Sequence, residues 1–294
     1  NYIIEEIVTN KIESKVRIII SDNHSEDDTQ KILKEIISQN EQIQIINNRN
    51  DQNIGLEANM VKLLSLAETE YILWVGDDDF IAKGYIQFCI GQIDQNPELG
   101  CIITGITKLF EDGSRVHIRN PGFEWQTFKA GYDTALKYSY LGHQLSGLVF
   151  KRDGLLDHYL SYEGYRNIYP FVFFITDRMT KYQTLFVPKY RTIVPVFNRK
   201  FWDYNDLGLL DEVFKSYYPF LKLFGKKKVG KLIVQFLRQQ SSFRLDIRFF
   251  RPIKLVKQFI QIVRTLKFTH TGTNIGIFVV LLKEYLLSSK NIFR

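Results

Sequence analysis

Tyr71-Ile72-Leu73-Trp74-Val75-Gly76-Asp77-Asp78-Asp79-Phe80 is an apolar run that ends abruptly in three consecutive carboxylates. Short and apolar on both faces, it reads as a buried parallel strand. Three adjacent acids at the tip of such a strand repel one another, and a fold tolerates them when a cation or a ring of donors neutralises them. Carboxylate oxygens suit Mg²⁺ or Mn²⁺, and Mg²⁺ commonly takes one or two carboxylates together with phosphate oxygens of a substrate. The alternative is a solvated acidic turn that caps the next helix, Asp being a favoured N-cap residue.

Upstream of this stretch the pattern alternates. Tyr2 to Ile12 carries Ile3, Ile4 and Ile7 on one helical face. Val16 to Ile20 is rich in β-branched residues and reads as a strand that ends in the polar turn Ser21 to Thr29, and Thr29 opens a helix through Ile32, Leu33, Ile36 and Ile37. Ile43 to Ile46 supplies the next strand. The polar loop Asn47 to Gly55 leads into a helix through Ala58, Val61 and Leu64, and the acidic strand follows. Alternating strands and helices argue for an α/β domain, in which ligands bind outside the carboxyl ends of the strands. Asp22 and Asp77 to Asp79 lie at two such ends, so the two polar turns are expected to face one crevice.

The order and spacing of these motifs over residues 16 to 80 resemble the family 2 glycosyltransferases of the GT-A fold. The family turn Asp-x-x-Ser-x-Asp-x-Thr stands here as Asp22-Asn23-His24-Ser25-Glu26-Asp27-Asp28-Thr29, and its Asn-x-Gly loop as Asn53-Ile54-Gly55, with Asn59 one helical turn on. The Trp-x-Gly-Asp-Asp-Asp strand end resembles a branch that includes bacterial O-antigen and capsule sugar transferases, in which glycine replaces the first Asp of the commoner DXD-type motif. The resemblance implies a Rossmann-like nucleotide-sugar-binding domain with a mixed, mainly parallel sheet, followed by a helical C-terminal region. It implies a donor site drawn from Asp22, Asn23, Ser25, Arg49, Asn53, Gly55, Asp77 and Asp78, with Mn²⁺ or Mg²⁺ on Asp78 and Asp79. A carboxylate such as Asp22 can accept the imide hydrogen of uracil or thymine. A metal would neutralise charge on the departing diphosphate, and Arg49 is either a second positive group there or an exposed loop residue.

Family members also begin with a strand that ends in a Pro-x-Tyr-Asn-like turn before the first helix, whereas this sequence opens inside that helix. The expectation is an N-terminally truncated form with the first strand missing and an unpaired edge beside Val16 to Ile20.

Downstream, Tyr85 to Ile93 reads as a helix, Cys101 to Phe110 as a strand, and Glu111 to Ser114 as a hairpin turn before Val116 to Ile118. Gly142 to Arg152 resembles the family's acceptor-side strand, entered through a small-residue turn, with His143 as a sugar contact or a structural histidine. Inverting members need a carboxylate to deprotonate the acceptor hydroxyl. The Glu-Asp pair that supplies it in much of the family is absent near Asn167 to Pro170, before the helix Tyr169 to Met179. Glu163 is the candidate base, and Asp177 beside Arg178 reads as a structural ion pair or a solvated face.

The boundaries expected are a catalytic domain over 1–200, with a donor half to 110 and an acceptor half from 111, and a basic helical region over 201–294. Thirteen Lys and Arg stand against the single acid Asp246 between Lys222 and Lys267, in a chain whose net charge is +7. This asymmetry points to an anionic partner, either a membrane surface or a phosphorylated lipid, ahead of nucleic acid. In Arg251 to Lys267 the side chains of Leu255, Val256, Phe259, Ile260, Val263 and Leu266 share one face, expected to pack on the catalytic domain while the charges serve peripheral membrane contact. No run is long enough for a membrane span, no signal peptide opens the sequence, and Cys89 and Cys101 lack metal-ligand spacing. The location expected is cytoplasmic, at the inner face of the cell membrane.

The reading is a metal-dependent, inverting hexosyl or deoxyhexosyl transferase. Its substrates are a nucleotide-sugar donor and a lipid-linked or growing cell-surface polysaccharide acceptor. Its rivals are an inactive nucleotide-sugar-binding module and a basic nucleic-acid-binding protein.

Overall fold

The computed structural model of the 294-residue chain describes residues 2–119, 125–196, 210–244 and 252–290. The chain divides into two compact units. The first comprises Asn1–Phe128, Leu145–His158 and Gln183–Pro195, and the second Lys129–Gln144, Tyr159–Tyr182 and Val196–Arg294.

The first unit opens with α1 (Tyr2–Thr9), β1 (Arg17–Asp22), α2 (Thr29–Ser38), β2 (Gln44–Arg49), α3 (Leu56–Leu66) and β3 (Tyr71–Leu73). Then follow α4 (Tyr85–Gln95), the hairpin of β4 (Leu99–Phe110) and β5 (Arg115–Arg119), and β6 (Gln126–Phe128). The run Ile18-Ile19-Ile20 sets β1, because side chains branched at Cβ pack well on a pleated surface. β1 and β2 pair in parallel from Arg17↔Gln44 to Asp22↔Arg49. Among the described residues β2 is the one strand paired with β1.

A six-stranded sheet runs in the order β3-β7-β4-β8-β6 with β5 on β4, where β7 is Val149–Lys151 and β8 is Gln183–Val196. β3 runs antiparallel to β7, not parallel as its double-sided apolarity suggests, and it stops at Leu73. Beyond Leu73 backbone contact with the turn before β7 continues through Trp74, whose N–H donates to Leu148 O at 3.0 Å and whose O accepts Gly147 N–H at 2.9 Å. Ile7, Ile43, Ile81, Tyr85, Ile102, Leu185 and Val187 form the core that the helices close over. Cys89 and Cys101 are buried free thiols, and burial pushes the Cys89 thiol up to about 12.

The second unit contains α5 (Tyr132–Tyr138), α7 (Pro170–Lys181) and four C-terminal helices, while α6 (Leu155–Leu160) straddles the boundary. The C-terminal helices are α8 (Leu210–Lys215), α9 (Leu221–Arg244), α10 (Pro252–Leu266) and α11 (Thr271–Lys290). Every residue of α7 from Pro170 to Met179 is buried, which makes it the axis of this unit. α9 and α11 approach closely because a Cβ at Gly230 would lie 2.7 Å from Thr273 Cβ. The apolar stripe of α10 does not pack as expected. The helix lies against α8 and buries Ile262 and Thr265, leaving Val256, Phe259, Ile260 and Val263 exposed.

Candidate donor and metal site

The end of β1 and the loop after β2 are tied by amides. Asp22 is buried, its Oδ1 accepting Ser25 N–H at 2.8 Å and its Oδ2 accepting Gln30 Nε2 at 2.7 Å. Arg49 Nε stands 3.6 Å from Asp22 Oδ2, and Arg49 Nη2 donates to Ser25 O at 2.8 Å. Burial raises the Asp22 carboxyl, but the hydrogen bonds from Ser25 and Gln30 and the charge of Arg49 outweigh it and hold the group below the usual carboxylate range.

Asn23 Oδ1 accepts from Asn50 Nδ2 at 3.0 Å and from Ile54 N–H at 3.0 Å, while Asn23 Nδ2 donates to Asn53 Oδ1 at 2.8 Å. Asn53 Oδ1 also accepts Gly55 N–H at 2.9 Å, and Gly55 turns into α3 at φ 83°, where a side chain would be strained. From α3, Asn59 Oδ1 accepts Ser21 Oγ at 2.7 Å and Asn50 Nδ2 at 2.8 Å. Six residues expected at a donor site, Asp22, Asn23, Ser25, Arg49, Asn53 and Gly55, thus form one hydrogen-bonded cluster. Ser21, Gln30, Asn48, Asn50 and Asn59 join it, and Asn50 N–H, donating to Asp22 O at 3.0 Å, links its two halves. Of these, Asn59 was visible as the residue one turn beyond the glycine.

The acidic turn is pinned at both ends. Gly76 N–H donates to Ser146 Oγ at 2.8 Å, and Phe80 exchanges backbone bonds with Ile193 at 2.9 and 2.7 Å. A Cβ at Gly76 would lie 3.1 Å from Asp78 Oδ1, 3.3 Å from Ser146 Oγ and 3.4 Å from Asp79 Oδ2. The carboxylates of Asp78 and Asp79 therefore both reach the space over Gly76, which only glycine leaves open. Asp77 and Asp78 are exposed and Asp79 is half-buried. Among the described residues no three His, Cys, Asp or Glu side chains gather into a metal cage. Two convergent carboxylates fit a hard divalent cation that draws its other ligands from diphosphate and water.

Ser146 and Gly147 are the residues sequence reasoning passed over. Their only signal was the small-residue turn before β7. Gly147 adopts φ 84°, and a Cβ there would stand 2.6 Å from Thr104 Oγ1. Tyr85 OH donates to Gly147 O at 2.7 Å and Thr192 Oγ1 to Ser146 O at 3.2 Å, so the support of the acidic turn comes from three distant segments.

The candidate base lies in the second unit. Glu163 is exposed in the short 3₁₀ turn Glu163–Tyr165, and the amide cluster above is confined to the first unit. His143 ends a 3₁₀ turn, with Nδ1 2.9 Å from Tyr140 O, a structural position. Asp177 and Arg178 are wholly buried; Arg178 Nε donates to Asp177 Oδ2 at 2.9 Å and Lys181 Nζ lies 2.9 Å from Asp177 Oδ1. The pair is structural rather than a solvated face.

The fold is GT-A-like, with a helical C-terminal region. *Staphylococcus aureus* TarS residues 1–349 superpose with TM-score 0.60 at 15% identity, covering 89% of this chain and 76% of TarS. The form of TarS solved with UDP superposes at 0.63 and 14%, covering 97% and 85%. Residues 3–156, just over half of the chain, match glycosyl transferase family 2, and the chain belongs to that family. Abequosyltransferase RfbV of *Salmonella typhimurium* is 30% identical over 116 residues, 39% of this chain and 33% of that protein. Chondroitin synthase of *Escherichia coli* is 24% identical over 123 residues, 42% of this chain and 17% of that one. The matched stretch thus spans a third or less of each of these relatives.

Proposed function

We propose that the chain is a glycosyltransferase that moves a sugar from a nucleoside diphosphate donor to a glycan or lipid-linked acceptor of a cell-surface polysaccharide, with inversion at the anomeric carbon. The observation that carries the reading is the convergence of Asp78 and Asp79 over Gly76, in the same unit as the Asp22–Arg49 cluster. Asp78 and Asp79 would hold Mn²⁺ or Mg²⁺, which when bound supplies charge neutralisation to the leaving diphosphate. Asp77 borders that position. Asp22 would accept the imide hydrogen of a pyrimidine through Oδ2, whose present hydrogen-bond donor is Gln30 Nε2. Arg49, exposed and already facing an anion, is placed to meet a second one.

Glu163 would accept the proton of the acceptor hydroxyl as its oxygen bonds to the anomeric carbon and the diphosphate leaves with the electron pair. The exposed basic surface of the second unit supports peripheral contact with anionic membrane, where a lipid-linked acceptor would be found. Among the described residues no helix is long and apolar enough to cross a membrane.

Calorimetric titration with a panel of nucleotide sugars, with and without Mn²⁺, tests the donor site. Expected is binding of a uridine or thymidine diphosphate sugar that Mn²⁺ strengthens and that Asp79→Asn loses with the fold intact. Unchanged affinity of Asp79→Asn at saturating Mn²⁺ would overturn the metal role.

A further inference from the structure

We propose that the outward faces of α10 and α11 form a single apolar surface on which the chain rests against a bilayer containing anionic lipid. This deepens the membrane contact proposed above by naming its surface and chemistry. In α10, Val256, Phe259, Ile260 and Val263 follow the i, i+3, i+4, i+7 spacing of one helical face, and all four are exposed, Val256 at 56% and Phe259 at 51%. In α11, Ile275, Phe278, Val279, Leu282 and Leu286 repeat the pattern, with Ile275 exposed at 62% and Leu282 at 59%.

The opposite faces do the packing. Ile262 and Thr265 of α10 are buried, as are Thr273, Ile277 and Val280 of α11, whose Gly276 lies against Val234 of α9. The rings of Phe259 and Phe278 have centroids 6.4 Å apart, which joins the two stripes into one surface. Apolar patches of this continuity on a soluble chain mark a protein or membrane contact.

Charge selects between the two. Arg264 follows Val263 and Lys283 follows Leu282, each exposed and about 100° round the helix from its apolar neighbour. From that border a long side chain lays its stem on the apolar surface and its cation among headgroups. α9 exposes Lys222, Lys226, Lys227, Lys228, Lys231 and Arg238, while Glu284 is the one acid in the described residues of α9, α10 and α11. A second copy docked on this surface would bring cation against cation. An anionic bilayer covers the apolar side chains and neutralises the cations together.

The test is sedimentation of the full 294-residue chain with phosphatidylcholine vesicles, with and without phosphatidylglycerol at about 30 mol%. Expected is binding to the anionic vesicles at least about tenfold stronger than to the neutral ones, weakening as salt rises. Phe259→Asp and Val279→Asp should each weaken it about tenfold, and Arg264→Glu with Lys283→Glu should do the same at low salt. All four side chains are exposed, so each variant should melt as the parent does. In Phe259→Trp the indole emission should shift to the blue and be quenched by brominated lipid when anionic vesicles are added.

Absence of vesicle binding overturns the proposal, as does binding that survives both aspartate variants or an unquenched Phe259→Trp. Self-association in the ultracentrifuge that Val279→Asp abolishes would also overturn it, giving the surface to a second copy. Titration of the same proteins with UDP and Mn²⁺ reads the donor site separately, so failure of either reading leaves the other measurable.

Discussion

Asp22 and Arg49 are the last pair of the β1–β2 register, and their side chains meet across it with Arg49 Nε 3.6 Å from Asp22 Oδ2. The Asp22 carboxyl is buried, and its hydrogen bonds and the guanidinium overcome burial to depress its pKa from 3.8. A carboxylate depressed on folding adds stability that is complete above its unfolded pKa and is lost as pH falls through the folded value. Asp22→Ala should cost about 2 kcal/mol at neutral pH, since a charged acceptor leaves several donors unpaired. In thermal melts the gap between parent and variant should stay level above about pH 4 and close below it. A gap that persists to the lowest accessible pH would show that the carboxylate is not depressed.

Gly76→Ala should spare the fold and damage the site. The new methyl would crowd Asp78 Oδ1 at 3.1 Å and Ser146 Oγ at 3.3 Å, contacts that small rotations of the two side chains relieve. Donor affinity in Mn²⁺ should fall about tenfold, roughly 1.4 kcal/mol, while the melting temperature moves by a few degrees at most. Equal donor affinity in the two proteins would mean that Asp78 does not need the position it holds.

Asp177→Asn should be the most destabilising of these changes. It removes the counter-charge of an Arg178 that is wholly buried, a change that costs about 3–5 kcal/mol when one partner of a buried pair is lost. Asp177→Leu combined with Arg178→Met should recover much of the loss, because neither charge then stays buried. Urea unfolding of the three proteins measures both statements.

Glu163→Gln should lower kcat by about a hundredfold or more with the donor KM unchanged, the pattern of a lost general base. Glu163 is exposed in a short turn, so its replacement should leave the melting curve where it was. A variant with parental kcat would send the search for the base to another carboxylate.

What could be read in advance was local. Three consecutive isoleucines announce β1, Asp22 marks its end, and the Asn53-Ile54-Gly55 loop announces the start of α3, each a choice made by neighbouring residues. Ser146 and Gly147 stayed hidden because their part depends on an approach across 70 positions to Gly76, which no periodicity encodes. The face of α10 was legible while its partner was not. Periodicity groups Val256, Phe259 and Val263 on one side of the helix, but which side is covered depends on where the helix docks: α10 lies against α8, and the side that carries Ile262 and Thr265 is the buried one. The direction of β3 was lost for a related reason, since apolarity on both faces records burial and not the sense of the neighbouring strand.

The loops around Asp22 are a mould cast mainly in uncharged material. Asn23, Asn50, Asn53, Asn59 and Ser21 hold one another through neutral amides and hydroxyls at 2.7 to 3.1 Å, with Arg49 as the exposed ion at their margin. Neutral hydrogen bonds are nearly indifferent to counter-ions, whereas an exposed guanidinium is screened within about 10 Å at 0.1 M salt. The contour of the mould should therefore keep its shape across wide swings of salinity, while the attraction it exerts on an incoming anion rises and falls with them.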